Sequence, residues 1–267
     1  MNAKTPDWGQ ESRFYLPNED AAALCAALHS LERMPLRPLC AGGSGMLLLE
    51  AASIMRSLEK AVFADIAAFQ CAYFRKLLDA LQAAQTPDEL RAWFGARVFP
   101  ELRDYYLGRK QIYTLPKVMH ALEKLFHCRF LFEDDAFCAA RQAAGKISIV
   151  HGDIAACLSD TNENHDFIYL SNIPDYLDES EIAGLFRACR GHEAPVYLLL
   201  TSACACPEKT QQAWEQSGFS PHASCAELNI LNQGLGSRSL RKAWNRPGFI
   251  YLLSPSDQEK NKRRNMV

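Results

Sequence analysis

The sequence has no hydrophobic run approaching the roughly 20 residues that a membrane-spanning helix requires. Its opening stretch, Met1–Glu11, is polar and has no apolar core of the kind a secretory leader carries. A membrane span is therefore not expected, and the cytoplasm is the expected compartment. An excess of charge of one sign is also missing. The chain carries 29 Lys and Arg against 31 Asp and Glu, a net charge of −2, which speaks against a surface that wraps nucleic acid. Internal repeats and low-complexity segments are absent. The one basic cluster, Lys260–Arg264, falls in residues 254–267, read as a disordered basic tail.

Metal-ligand spacing is lacking as well. Of ten cysteines, only Cys204 and Cys206 form a close pair, and no second pair or nearby histidine completes a zinc set. His120 and His127 are two helical turns apart, too far to share an ion as neighbours. Cys25, Cys71, Cys128, Cys138, Cys157 and Cys189 sit within apolar patterns, as small buried hydrophobes of a reducing compartment do. No metal is expected.

What the chain does have is enough length, 267 residues, and enough apolar content, 48%, to bury one large core. Its pattern alternates. Helices are predicted over residues 19–33, 45–58, 67–84, 178–190 and 207–217. Strands are predicted at 36–41, 61–64, 147–150, 167–171 and 195–200. A last strand, Phe249–Leu253, is expected as an antiparallel sheet edge with Phe219–His222. Strands alternating with helices imply a mostly parallel sheet covered on both faces. Residues 1–34 read as an N-terminal helical flap, although core packing is the other role open to Phe14-Tyr15-Leu16.

Residues 85–146 interrupt this alternation with further helical patterns at 87–94, 98–106, 116–126 and 133–144. Thr86-Pro87-Asp88-Glu89 opens the first with a capping signature. The expectation is a helical cap inserted into a 35–253 domain. Arg97, Arg103, Tyr105, Tyr106, Arg109, Lys110 and Tyr113 would grip an anionic substrate, or else form a solvated face with tyrosines packed inward.

The informative motif is Leu39-Cys40-Ala41-Gly42-Gly43-Ser44-Gly45, a strand breaking into glycines before a helix. At such a turn, backbone N–H groups and the helix N-terminus receive a ligand's polar groups. Asp65, with Ile66 beside it, ends the next strand and suits ribose hydroxyls, or caps the helix that follows. Gln70 opens that helix. Asp153 and Ile154 follow the third strand, where the acid accepts from an adenine amino group or caps a short helix. Ser171-Asn172-Ile173-Pro174-Asp175-Tyr176 ends the fourth strand, where Ser171 and Asn172 offer hydrogen bonds and the Tyr176 ring can face a cation. The alternative is a turn in which Asp175 or Asp178 caps the next helix. Ser202 ends the fifth strand at the same crevice.

In this order the motifs resemble those of the class I S-adenosylmethionine-dependent enzymes, over residues 36–253. Asp65-Ile66-Ala67-Ala68-Phe69-Gln70, the long helix after it and the delayed Gly152-Asp153 are similar to the betaine-lipid 3-amino-3-carboxypropyltransferases. The short chain also resembles the azetidine-2-carboxylate synthases. Two positions depart from the common methyltransferase pattern: Leu39 stands where an acid precedes the turn, and Ala41 where the first glycine falls.

The resemblance implies a Rossmann-like class I methyltransferase fold that binds S-adenosylmethionine as substrate, without a metal. The implied cofactor-binding residues are Ala41, Gly42, Gly43, Ser44, Gly45, Asp65, Ile66, Gln70, Asp153, Ile154 and Ser171. The implied catalytic set is Tyr176, Asn172, Asp175 and Ser202. The favoured reaction is cyclisation of the aminocarboxypropyl arm to azetidine-2-carboxylate with release of methylthioadenosine. Transfer of that arm to a small acceptor, or methyl transfer to nitrogen or oxygen, is the alternative. The expected partner is a small molecule, with no nucleic acid.

Overall fold

The computed structural model describes residues 15–16, 21–107, 122, 125–160, 163–200, 207–234 and 249–256. Among them, seven strands form one sheet: β1 (Pro38–Ala41), β2 (Ala61–Asp65), β3 (Ile147–His151), β4 (Phe167–Ser171), β5 (Val196–Leu200), β6 (Phe219–Pro221) and β7 (Phe249–Pro255). Their spatial order is β3-β2-β1-β4-β5-β7-β6. The first five are parallel, and β7 runs antiparallel to both β5 and β6. This is the Rossmann-like class I methyltransferase fold. The antiparallel pair is as expected, with one adjustment: β7 lies inside the sheet and β6 forms the edge.

The central strands are apolar on both sides because both sides are covered; every residue of β1 and β5 is buried. One face carries α1 (Ala21–His29), α2 (Met46–Ile54) and α3 (Ala68–Ala83), and its core includes Leu24, Leu49, Phe63 and Phe74. The other face carries α7 (Ile154–Ser159), α8 (Glu179–Gly191) and α9 (Pro207–Gln216), around Leu39, Ile168, Phe186 and Trp214. A last helix, α10 (Cys225–Gly234), packs on α1 and β7.

Two helices are shorter than their apolar patterns suggest. The first ends at His29, where the His29 ring donates to the Cys25 carbonyl at 2.7 Å and Ser30 Oγ donates to the Ala27 carbonyl at 2.8 Å. Both bonds add side-chain donors to carbonyls of the last turns of the helix. The second stops at Ile54, and Leu58 N–H donates back to the Met55 carbonyl at 2.9 Å.

The insertion is built differently from its prediction. In α4 (Pro87–Trp93) the Thr86 hydroxyl accepts from Glu89 N–H at 3.3 Å, and the Glu89 carboxylate accepts from Gln85 N–H at 2.7 Å. A break was expected after Phe94. Instead a π-helical turn, Phe94–Val98, leads directly into α5 (Phe99–Leu107). Phe94, Val98 and Leu102 are all buried; their four-residue spacing keeps one apolar face turned inward through the junction. Further on, α6 (Asp134–Ala144) packs on α2 and α3 through Phe137, Ala140 and Ala144. The described part of the insertion thus thickens the helical layer on this face. Most of the predicted 116–126 helix lies outside the described residues. Tyr15 and Leu16 are buried in the same core, which is the packing role rather than an open flap.

Candidate functional site

The chain between β1 and α2 turns back through two left-handed glycines, Gly43 at φ +75° and Gly45 at φ +74°. Only glycine adopts this backbone without strain. The glycines differ in what surrounds them. A Cβ on Gly42 would overlap the Asp65 carboxyl and one on Gly45 would overlap the Phe74 ring, whereas one on Gly43 would meet open space. Gly42 and Gly45 therefore let the turn pack onto β2 and α3, and Gly43 leaves its outer side bare.

Asp65 fastens the turn. One carboxylate oxygen accepts from Gly43 N–H at 3.0 Å and the other from Ala67 N–H at 2.7 Å. Asp65 does not cap α3, whose N-cap is Ala67 with no side-chain cap bond; it ties the Ala67 N–H ahead of the helix to the glycine turn. Burial pushes its carboxyl above the usual range, and the two N–H donors oppose that shift. Gln70, expected among the ligand-facing residues, lies behind the turn instead. It is 1% exposed, and its Nε2 donates to the Gly43 carbonyl. A side chain that closes off this carbonyl from beneath braces the turn rather than lining its open side.

Beside the turn a narrow cleft is lined by Cys40, Ala41, residues 42–45, Leu47, Leu48, Tyr169 and Ser171. No Asp, Glu, His, Lys or Arg is among them. Ala41, Gly42, Gly43, Ser44, Gly45 and Ser171 are thus brought to one place. Ser44 is buried, and its hydroxyl accepts from Met46 N–H at 3.4 Å.

Across the cleft, β4 ends in a bulge between Tyr169 and Ser171, and Ser171 adopts φ +52°. A non-glycine residue in this region marks local strain of the kind found at functional turns. From it runs a chain of side chains. Ser171 Oγ donates to Asn172 Oδ1 at 3.2 Å, and Asn172 Nδ2 donates to the Tyr176 hydroxyl at 3.0 Å. A 3₁₀ turn, Ile173–Tyr176, sets this spacing, with Pro174 in its first turn. Burial raises the Tyr176 phenol, so the ring stays neutral. Asp175 belongs to the same turn but does not cap α8. That role falls to Asp178, in a reciprocal capping box with Glu181. Ser202 lies outside the described residues.

On the β2–β3 side, Ile66 projects a 55% exposed side chain beside Asp65. Gly152 N–H donates to the Asp65 carbonyl at 3.0 Å, and the His151 ring donates to the Ile66 carbonyl at 3.0 Å. Asp153 takes the capping alternative, accepting from Ala155 N–H at 3.0 Å at the start of α7. Ile154, expected at the ligand, instead points into the second core, because the first turn of α7 must bury its apolar side against the sheet.

The anion-gripping set of the insertion is not assembled among the described residues. Arg97 is exposed, Arg103 pairs with its neighbour Asp104 at 2.9 Å, and Tyr105 packs against Tyr15. The Tyr106 side chain, Arg109, Lys110 and Tyr113 fall outside the described residues. Sequence reading missed the bond of His151 to Ile66, the buried Glu50 and the ring cluster around Tyr15. The only advance signal for Glu50 was a lone acid in an apolar helix.

No family model matches the chain, and none of the curated proteins matches it. Solved structures similar to it include the following three. StiE O-MT residues 961–1257 is 10% identical over 89% of this chain and 74% of that one, with a TM-score of 0.49. The methyltransferase domain of bacterial CtHen1 is 10% identical over 88% and 96%, at 0.48. The [4+2]-cyclase SpnF is 10% identical over 93% and 88%, at 0.47. The fold assignment stands on the strand order of the sheet itself.

Proposed function

We propose that the chain binds S-adenosylmethionine at the carboxyl edge of β1, β2 and β4 and opens the bond between its sulfur and its aminocarboxypropyl arm. The supporting observation is the lining of the cleft beside the glycine turn, which has open space at the Gly43 Cα and, among the described residues that line it, no Asp, Glu, His, Lys or Arg. Such a surface can receive the arm while leaving its amine neutral, because desolvation disfavours the ammonium form. A neutral amine is a nucleophile. With no carboxylate, imidazole or amine among those lining residues to activate an acceptor, attack by the arm's own nitrogen on its γ-carbon is the favoured course.

In this reading the Ser44–Gly45 side of the turn receives the amino acid end. Asp65 and Ile66 meet the ribose and adenine, with Asp153 beside them. Asn172, fixed between Ser171 and Tyr176, orients the arm, and the neutral Tyr176 ring attracts the sulfonium through its face. The acids Asp65 and Asp153 keep their present backbone bonds or exchange them for ligand hydroxyl and amino groups. Methyl transfer is the second reading, favoured by the Asn-Ile-Pro sequence ending β4, whose asparagine could serve an acceptor nitrogen.

One assay separates the readings: the purified protein with S-adenosylmethionine alone, its products identified by mass spectrometry. Methylthioadenosine with azetidine-2-carboxylate is the expected result. If S-adenosylhomocysteine forms once small amines or phenols are added, methyl transfer is the reaction. Failure of the compound to bind in calorimetry would overturn both.

A further inference from the structure

Three stretches of chain far apart in sequence meet in one cluster of rings on α3. Phe69 and Tyr73, one helical turn apart, stack with centroids separated by 6.3 Å and planes only 10° apart. The Tyr15 ring stands edge-on to both, 5.5 Å from each, and edge-on to Tyr105 of α5 at 6.0 Å. Tyr15 is 1% exposed. Its hydroxyl donates to the Glu101 carboxylate at 3.3 Å, and its carbonyl accepts from the Tyr73 hydroxyl at 3.0 Å. Phe69 and Tyr105 are only half-buried.

The position of α3 ties this cluster to the cleft. Gln70 and Phe74, the next residues around the helix, press on Gly43 and Gly45. The face bearing Phe69 and Tyr73 therefore adjoins the face that holds the turn. Phe69 also lies in the first turn of α3, directly after Asp65 and Ile66, at the carboxyl edge of the sheet where ligands of such folds sit. Aromatic faces attract a sulfonium without competing as nucleophiles.

We propose that these rings form a wall of the ligand site that decides which nucleophile reaches the γ-carbon. Phe69 is the ring that meets the substrate, and Tyr15 is the positioning residue that holds it. The inference rests on the arm-opening reading above. Two courses compete at that carbon. In one, the neutral amine forms the N–Cγ bond while the Cγ–S electron pair leaves with sulfur, giving methylthioadenosine and protonated azetidine-2-carboxylate. In the other, water forms the O–Cγ bond and loses a proton, giving methylthioadenosine and homoserine. A wall of hydrocarbon rings excludes water and favours the first.

The test uses the full chain with S-adenosylmethionine alone and measures the ratio of homoserine to azetidine-2-carboxylate. Phe69→Leu is expected to raise that ratio at least threefold, with the dissociation constant of S-adenosylmethionine changed less than threefold. Tyr15→Ala should shift the ratio in the same direction. Tyr15→Phe, which keeps the ring and loses only the Glu101 bond, should restore the wild-type ratio. Should Tyr15→Ala fail to fold, Phe69→Leu decides alone. An unchanged ratio in a folded Phe69→Leu variant overturns the wall and leaves the reading of the site intact. Absence of methylthioadenosine from the wild-type reaction overturns that reading, and the wall with it.

Discussion

Arg129 Nε lies 2.9 Å from the carboxylate of Glu50, an acid 1% exposed in the middle of α2. The same carboxylate accepts from Phe130 N–H at 3.2 Å. The pair fastens the start of the insertion's second half to the helix that begins at the glycine turn. Burial raises the Glu50 carboxyl in spite of its donors. Glu50→Ala strands a backbone donor and an arginine at once. It should lower stability by about 1–3 kcal/mol, read as the shift in a urea unfolding midpoint at unchanged slope. An unshifted midpoint would show that the pair adds nothing.

The glycines of the turn should separate stability from binding. Gly45→Ala puts a methyl into the Phe74 ring at φ +74°, and it should cost upwards of about 2 kcal/mol in unfolding free energy. Gly43→Ala meets open space but keeps the left-handed strain, for a cost of about 1 kcal/mol. Its methyl stands on the open side of the turn, so S-adenosylmethionine affinity should fall at least tenfold in calorimetry. Equal losses of affinity and stability in both variants would argue against the assigned ligand side.

Tyr176 offers a division between ring and hydroxyl. If its face stabilises the sulfonium, Tyr176→Phe should keep turnover within about threefold, while Tyr176→Ala loses about 10- to 30-fold, matching 1.4–2 kcal/mol of cation–π attraction. Affinity for the intact substrate should change less than turnover. Steady-state rates and direct binding measured side by side give the answer, and an unchanged rate in the alanine variant removes the assignment.

His165 predicts an acid-side weakness. It is buried and donates to the Arg37 carbonyl at 3.3 Å, with the His192 ring centroid 5.1 Å away. Burial, then the neighbouring His192, lowers it below the ordinary value of 6.5. The unfolded chain therefore takes up the proton first, so the stability this site contributes is present above pH 6.5 and lost as pH falls through the lowered value. Thermal melts of His165→Gln should show a shallower decline below that point than the wild type. Parallel curves would assign the acid sensitivity elsewhere.

Much of this is legible in the sequence alone. Alternation of apolar runs with helical periods placed all five parallel strands, since a strand buried on both faces leaves an unbroken apolar signature. The left-handed positions, Gly43 and Gly45, stood out by residue type. The chain Ser171–Asn172–Tyr176 was legible as residues sharing a strand end, though not as a relay of bonds. Gln70 and Ile154 lie elsewhere than expected because a side chain next to a motif has two directions to point, and only packing selects one. The continuity through Phe94–Val98 was hidden by Gly95, which reads as a breaker although the buried face runs past it. Glu50, Arg129 and Tyr15 depend on partners tens of residues away, and no local pattern announces a contact of that range.

The reversal of β7 has a practical side. Phe249 pairs with Leu200 at the cleft end of the sheet, and the strand then runs away from it, so Leu253 pairs with Val196 at the other end. Ser256, whose N–H donates to the Gly218 carbonyl at 2.7 Å, is therefore anchored at the pole opposite the glycine turn. A tether grafted at Ser256 would hold the molecule with its cleft turned outward. That is the orientation a surface-based binding measurement needs, and a tether at Phe249 would defeat it.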